Sequence, residues 1–133
     1  MSRQKILLVE DNPVETLGIT RLLQQRGFTV TPAQDAAEAI RAVRENPPDL
    51  VVLDINLPAN SADSPMWDGL DFMDWIHLMA SAHIPVILLT NTPLKEIQNR
   101  GKDVQTAVYF QKPADSEKLI AAIRSALDKS PAR

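Results

Sequence analysis

At 133 residues and 44% hydrophobic content, the chain is long enough for one domain with a self-sufficient core, and no second domain is expected. The absence of cysteine excludes disulfide frameworks, thiolate metal sites and thiol catalysis, and it favours an intracellular location. A net charge of -3 with dispersed Lys and Arg leaves no basic stripe for nucleic acid, and no apolar run approaches the roughly 18 residues that cross a bilayer.

Met1-Ser2-Arg3-Gln4-Lys5 leads straight into a short apolar run and lacks the features of a signal peptide, so a cytoplasmic protein is expected. That run, Ile6-Leu7-Leu8-Val9, is too short for a helix and too apolar for a half-exposed strand. It reads as a parallel strand buried on both faces, as do Leu50-Val51-Val52-Leu53 and Ile84-Pro85-Val86-Ile87-Leu88-Leu89. Phe28-Thr29-Val30 and Ala107-Val108-Tyr109-Phe110 read as strands nearer the edges. Helical spacing falls between the strands: 13–26 with Val14, Leu17, Leu22 and Leu23, 35–45 with Ala36, Ile40 and Val43, and 69–80 with Leu70, Met73 and Ile76. A weaker stretch covers 93–100, and 115–128 carries Ile120, Ile123 and Leu127. Gly27 stands where the first helix would be capped, and Asn46-Pro47-Pro48 stops the second. Five strand-helix repeats predict an α/β, doubly wound five-stranded parallel sheet with five helices over residues 1–133, the core spanning about 4–128.

Ligands of such sheets bind beyond the carboxyl ends of the strands. The first strand ends in Glu10-Asp11, the third in Asp54 and the fourth in Thr90, while Lys112-Pro113 follows the fifth. Carboxylates gathered there repel by about 4 kcal/mol per pair at about 4 Å and an effective dielectric near 20, and so call for a cation. An all-oxygen donor set of Glu10 (through water), Asp11, Asp54 and the backbone carbonyl of Asn56 suits Mg²⁺. Asp54 is the best nucleophile for forming an acyl phosphate, with Lys112 neutralising charge and Thr90 donating a hydrogen bond to a phosphoryl oxygen. Glu10 and Asp11 could alternatively cap the first helix, and Lys112 could be a solvated loop lysine. His77 and His83 lack partners at ligand spacing and read as surface residues; Phe72 and Trp75 read as helix packing.

The pieces LLVEDNP at 7–13, VVLDINLP at 51–58, DGL at 68–70, VILLTN at 86–91 and YFQKP at 109–113 resemble the receiver domain of two-component response regulators, of the single-domain chemotaxis type. The likeness covers nearly the whole chain, with 43 residues from Asp11 to Asp54 and 22 from Thr90 to Lys112. It implies a flavodoxin-like sheet of order 2-1-3-4-5 and a sensor histidine kinase or histidine phosphotransfer protein that donates to Asp54. It also implies an acidic pair at Glu10 and Asp11, a switch hydroxyl at Thr90, a cation at Lys112 and a rotating aromatic at Tyr109. Phosphorylation would then alter the face of the fourth helix, fifth strand and fifth helix, through which an unidentified downstream protein, or a second copy in a homodimer, would bind.

Two departures from the family pattern stand out. The 59–67 loop, Ala59 to Trp67, is longer than the family's connection, and its Met66 and Trp67 predict either a partner contact or partial lid, or a plain surface insertion with Trp67 stapling the third helix. Asn91 replaces the family's small residue after the threonine and is expected to narrow access to the phosphoryl group and slow transfer from small donors.

The expected function is that of a stand-alone receiver without an output domain, a phosphoacceptor with self-catalysed transfer and hydrolysis and no multiple-turnover activity. A phosphorylation-independent interaction module on the same fold is the alternative. A haloacid-dehalogenase-like phosphatase would need a second aspartate where Asn56 stands, and a nucleotide cradle would need glycines where Glu10-Asp11-Asn12-Pro13 stands.

Overall fold

The computed structural model describes residues 4–53, 75, 76, 78, 84–91, 93, 95 and 108–129. Its elements are β1 (Lys5–Val9), α1 (Pro13–Gln25), β2 (Thr29–Ala33), α2 (Ala36–Glu45), β3 (Leu50–Leu53), β4 (Val86–Thr90), β5 (Val108–Gln111) and a C-terminal helix (Ser116–Lys129). The five strands form one parallel sheet in the order β2-β1-β3-β4-β5, as the family resemblance implies. Of the expected third and fourth helices, Trp75, Ile76, Leu78 and Lys95 are helical. The rest of 69–80 and 93–100, including His77, lies outside the described residues, as do His83 and the 59–67 loop.

Strand character tracks position in the sheet. β3 and β4 are buried at every residue, and β1 at all but Lys5, as expected of strands covered on both faces. The edge strands β2 and β5 are largely exposed or half-buried. β2 starts later than the sequence suggests and runs on through Thr31, Pro32 and Ala33, leaving Phe28 as a buried residue ahead of it. Pro32 reads as a breaker but is tolerated because an edge strand can spare one backbone donor. β4 likewise begins only at Val86, after Ile84-Pro85, and extends to Thr90.

Alternation along the central strands sorts the core into two layers. Leu7, Val9, Val51, Leu53, Val86 and Leu88 face α2 and the helical Ile76, with half-buried Trp75 packed against them. Ile6, Leu8, Leu50, Val52, Ile87 and Leu89 face α1 and the C-terminal helix, which contributes Leu119, Ile120, Ile123 and Leu127. Trp75 therefore belongs to packing, its ring lying 5.9 Å from the Arg44 guanidinium, within cation-π range. The predicted apolar stripe of α1 needs correction. Val14 and Leu17 are 78% and 52% exposed, and the helix turns Ile19, Leu22 and Leu23 inward.

The end of α1 explains that phase. Gly27, at φ 93°, takes the left-handed conformation that closes the helix. The N–H of Gly27 bonds to the Gln24 carbonyl and that of Phe28 to the Leu23 carbonyl, each at 3.1 Å. Phe28 and Leu23 then share the same apolar layer, so the cap pins which face of the helix looks inward.

Candidate functional site

Because all the strands are parallel, their carboxyl ends lie on one edge of the sheet. Glu10 and Asp11 follow β1, Thr90 ends β4, and Lys112 follows β5. Two backbone bonds tie these ends together: Glu10 N–H donates to the Ala33 carbonyl and Lys112 N–H to the Thr90 carbonyl, each at 2.9 Å. Thr90 and Lys112 are thus held in register whatever their side chains do. Tyr109 pairs with Leu88 across the sheet and packs half-buried against the α2 layer. Leu53, the last residue of β3, sits fully buried between Val9 and Leu88 at that same edge. Asp54 follows it in sequence; Asp54 and Asn56 lie outside the described residues.

Glu10 is 1% exposed, which makes its carboxylate costly unless satisfied. Its Oε1 accepts from the Asn12 N–H at 2.9 Å, and its Oε2 accepts from Lys112 Nζ at 3.1 Å. Lys112, with a side chain 9% exposed, is a buried ion-pair partner rather than a solvated loop lysine. The helix-capping reading of Glu10 and Asp11 is also overturned. Asn12 is the N-cap of α1, and its Oδ1 accepts from the N–H groups of Val14 at 2.9 Å and Glu15 at 3.2 Å. Glu10 is left to supply a charge at the strand end. The Lys112-Pro113 peptide bond is cis.

Sequence reasoning missed Glu15. Its Oε2 lies 2.7 Å from Lys112 Nζ, so among the described residues the ammonium bridges two carboxylates, those of Glu10 and Glu15. The one sequence signal was Asn12-Pro13-Val14-Glu15, an N-cap residue followed three positions later by Glu, which predicts a capping pair and not a contact with Lys112.

The donor chemistry fits a hard cation, since Glu10 and Asp11 offer adjacent oxygen ligands beyond β1. Among the described residues no group of three or more His, Cys, Asp or Glu side chains converges to hold a metal ion, and the other two expected donors, Asp54 and Asn56, lie outside them. No helix among the described residues is long and apolar enough to cross a membrane.

Residues 6–124, which include this edge, match the family model of the response regulator receiver domain. The chain belongs to that family. As a receiver it is a module of two-component signalling, a family in which phosphorylation and Mg²⁺ binding are general properties. It is 32% identical over 127 residues to the probable transcriptional regulatory protein TcrX of Mycobacterium tuberculosis, a match covering 94% of this chain and 50% of TcrX. It is 30% identical to protein PilH of Pseudomonas aeruginosa, covering 92% of this chain and 97% of PilH. This receiver therefore spans about half the length of TcrX and nearly all of PilH. Among solved structures, the receiver domain of sensor histidine kinase PA1611 from Pseudomonas aeruginosa, with magnesium coordinated in its active site cleft, superposes with a TM-score of 0.77 at 27% identity, covering 96% of this chain and 100% of that one.

Proposed function

We propose that this receiver acts as a stand-alone, cytoplasmic phosphoacceptor. A histidine kinase or histidine phosphotransfer protein would donate the phosphoryl group to a carboxylate oxygen of Asp54, and the modified domain would present an altered surface to a downstream protein. The observation that carries this reading is the Lys112 ammonium, nearly buried and held by Glu10 at the sheet edge where the chain passes from Leu53 to Asp54. A largely buried cation at that position is suited to an anion arriving there.

Glu10, Asp11, Asp54 and the Asn56 carbonyl would hold Mg²⁺, a role supported by their oxygen chemistry and by the magnesium in the PA1611 receiver. When bound, Mg²⁺ offsets negative charge on the phosphoryl group. Lys112 would supply a second cation and Thr90 a hydroxyl donor, and Tyr109 would follow Thr90 as the switch aromatic. Asn56 lacks the proton that a general acid would deliver, which supports a phosphoacceptor over a multiple-turnover phosphatase. In PilH, of which this chain covers 97%, a receiver makes up nearly the whole protein, whereas in TcrX it makes up about half.

The test is intact mass and Mg²⁺-dependent binding of beryllofluoride, comparing the wild type with Asp54→Asn. Mass gain from a small phosphodonor, and beryllofluoride binding, are expected in the wild type with Mg²⁺ and absent from the variant. No response in the wild type, with or without a kinase, would overturn the phosphoacceptor reading in favour of a phosphorylation-independent module.

A further inference from the structure

Glu15 is the third residue of α1, the place from which a glutamate ordinarily reaches back to the backbone N–H of the N-cap residue. In this receiver that N–H, on Asn12, is already taken by Glu10 Oε1. The Glu15 carboxylate is thereby released from the helix end, and it crosses to the residue after β5 to meet Lys112 Nζ at 2.7 Å, closer than the 3.1 Å from Nζ to Glu10.

Among the described residues, the two carboxylates on Lys112 differ in how readily they let go. Glu10 is 1% exposed and, without a cation, would be left as an uncompensated buried charge, a heavy penalty. Glu15 has a side chain 36% exposed and can return to water at little cost. Glu15 and Lys112 also border an open groove of 480 Å³, which Ile19, Leu89, Asn91 and Pro113 help to line, so their contact lies next to solvent.

We propose that Glu15 is a positioning residue: in the unphosphorylated receiver its carboxylate holds the Lys112 ammonium, and it is the partner that an incoming phosphoryl group displaces. The inference rests on the phosphoacceptor reading of Asp54 and adds to it a residue that sets how tightly the site takes an anion. Glu10 keeps Lys112 charged and buried; Glu15 competes with the anion for it.

The experiment titrates beryllofluoride, with saturating Mg²⁺, into the full chain as wild type, Glu15→Gln and Glu15→Asp. Affinity is read by calorimetry and the Lys112 Nζ environment by NMR. Glu15→Gln is expected to bind about five-fold more tightly, the scale of losing one competing, partly exposed ion pair. Glu15→Asp keeps the charge but is one methylene too short for the contact, and it is expected to tighten binding as Gln does. In both variants the Lys112 Nζ signal is expected to be shifted before any beryllofluoride is added, which a role confined to helix stability would not produce. Wild-type affinity in Glu15→Gln, or a Glu15→Asp variant that binds like wild type while Gln tightens, would overturn the displaced-partner role, the latter pointing to general charge repulsion. A wild type that takes up no beryllofluoride would overturn the phosphoacceptor reading and this inference together.

Discussion

Glu10 and Lys112 set the character of the site at the scale of single residues. A carboxylate 1% exposed and an ammonium 9% exposed, 3.1 Å apart, tolerate burial because each answers the other's charge and Asn12 N–H satisfies the remaining Glu10 oxygen. Lys112→Met keeps the apolar stem and removes the charge, so it is expected to destabilise the fold by about 3 kcal/mol, the scale for breaking a buried pair from one side. Urea denaturation measures this, and a midpoint equal to wild type would mean that Glu10 finds another cation or sheds its charge. Single residues also explain what sequence could not reveal. Glu15 and Lys112 are 97 positions apart, and nothing in the spacing of either predicts that they meet.

Among the elements, α1 shows how a terminus decides a helix face. Gly27 at φ 93° has open space where a Cβ would stand, so Gly27→Ala would meet no clash. The cost is conformational alone, about 1 kcal/mol, and is expected as a lowered urea midpoint with an unchanged slope. The apolar pattern of α1 by itself admits more than one face, and Val14 and Leu17, which read as core, prove to be exposed. The same end of α1 is tied to the C-terminal helix by Arg26 and Glu117, whose guanidinium and carboxylate hydrogen-bond directly. That bond, reinforced by their charge attraction, holds the Glu117 carboxyl below its usual range and raises Arg26 above its own. A lowered carboxylate pKa contributes stability above the unfolded value and loses it as pH falls through the folded value. Glu117→Gln is therefore expected to lower the melting temperature slightly at neutral pH. The difference should vanish in acid, below the Glu117 pKa, and shrink in high salt because both groups meet solvent.

On the proposed reading, the molecule as a whole would convert a local charge into an altered surface. Inverting a 1:99 population takes about 5.5 kcal/mol, and two or three charge-assisted hydrogen bonds of about 1.5–3 kcal/mol each are of the right size. Binding alone has a measurable global signature: beryllofluoride at about 100 times its Kd, with Mg²⁺, is expected to stabilise the wild type by about 2.7 kcal/mol and to leave Asp54→Asn unmoved, as followed by thermal unfolding. The architecture that carries such a signal was largely legible beforehand. Apolar runs such as Leu50–Leu53 read as strands covered on both faces, and the polar residues that end them then collect on one edge of a parallel sheet. That much is readable in advance because strand burial and helix spacing are local properties written in consecutive residues. The passage of β2 through Pro32 and the bridging of Lys112 by Glu10 and Glu15 emerge only on folding. Each of these depends on register between segments far apart in the chain, 102 residues in the case of Glu10 and Lys112, and backbone pairing sets that register where local patterning cannot.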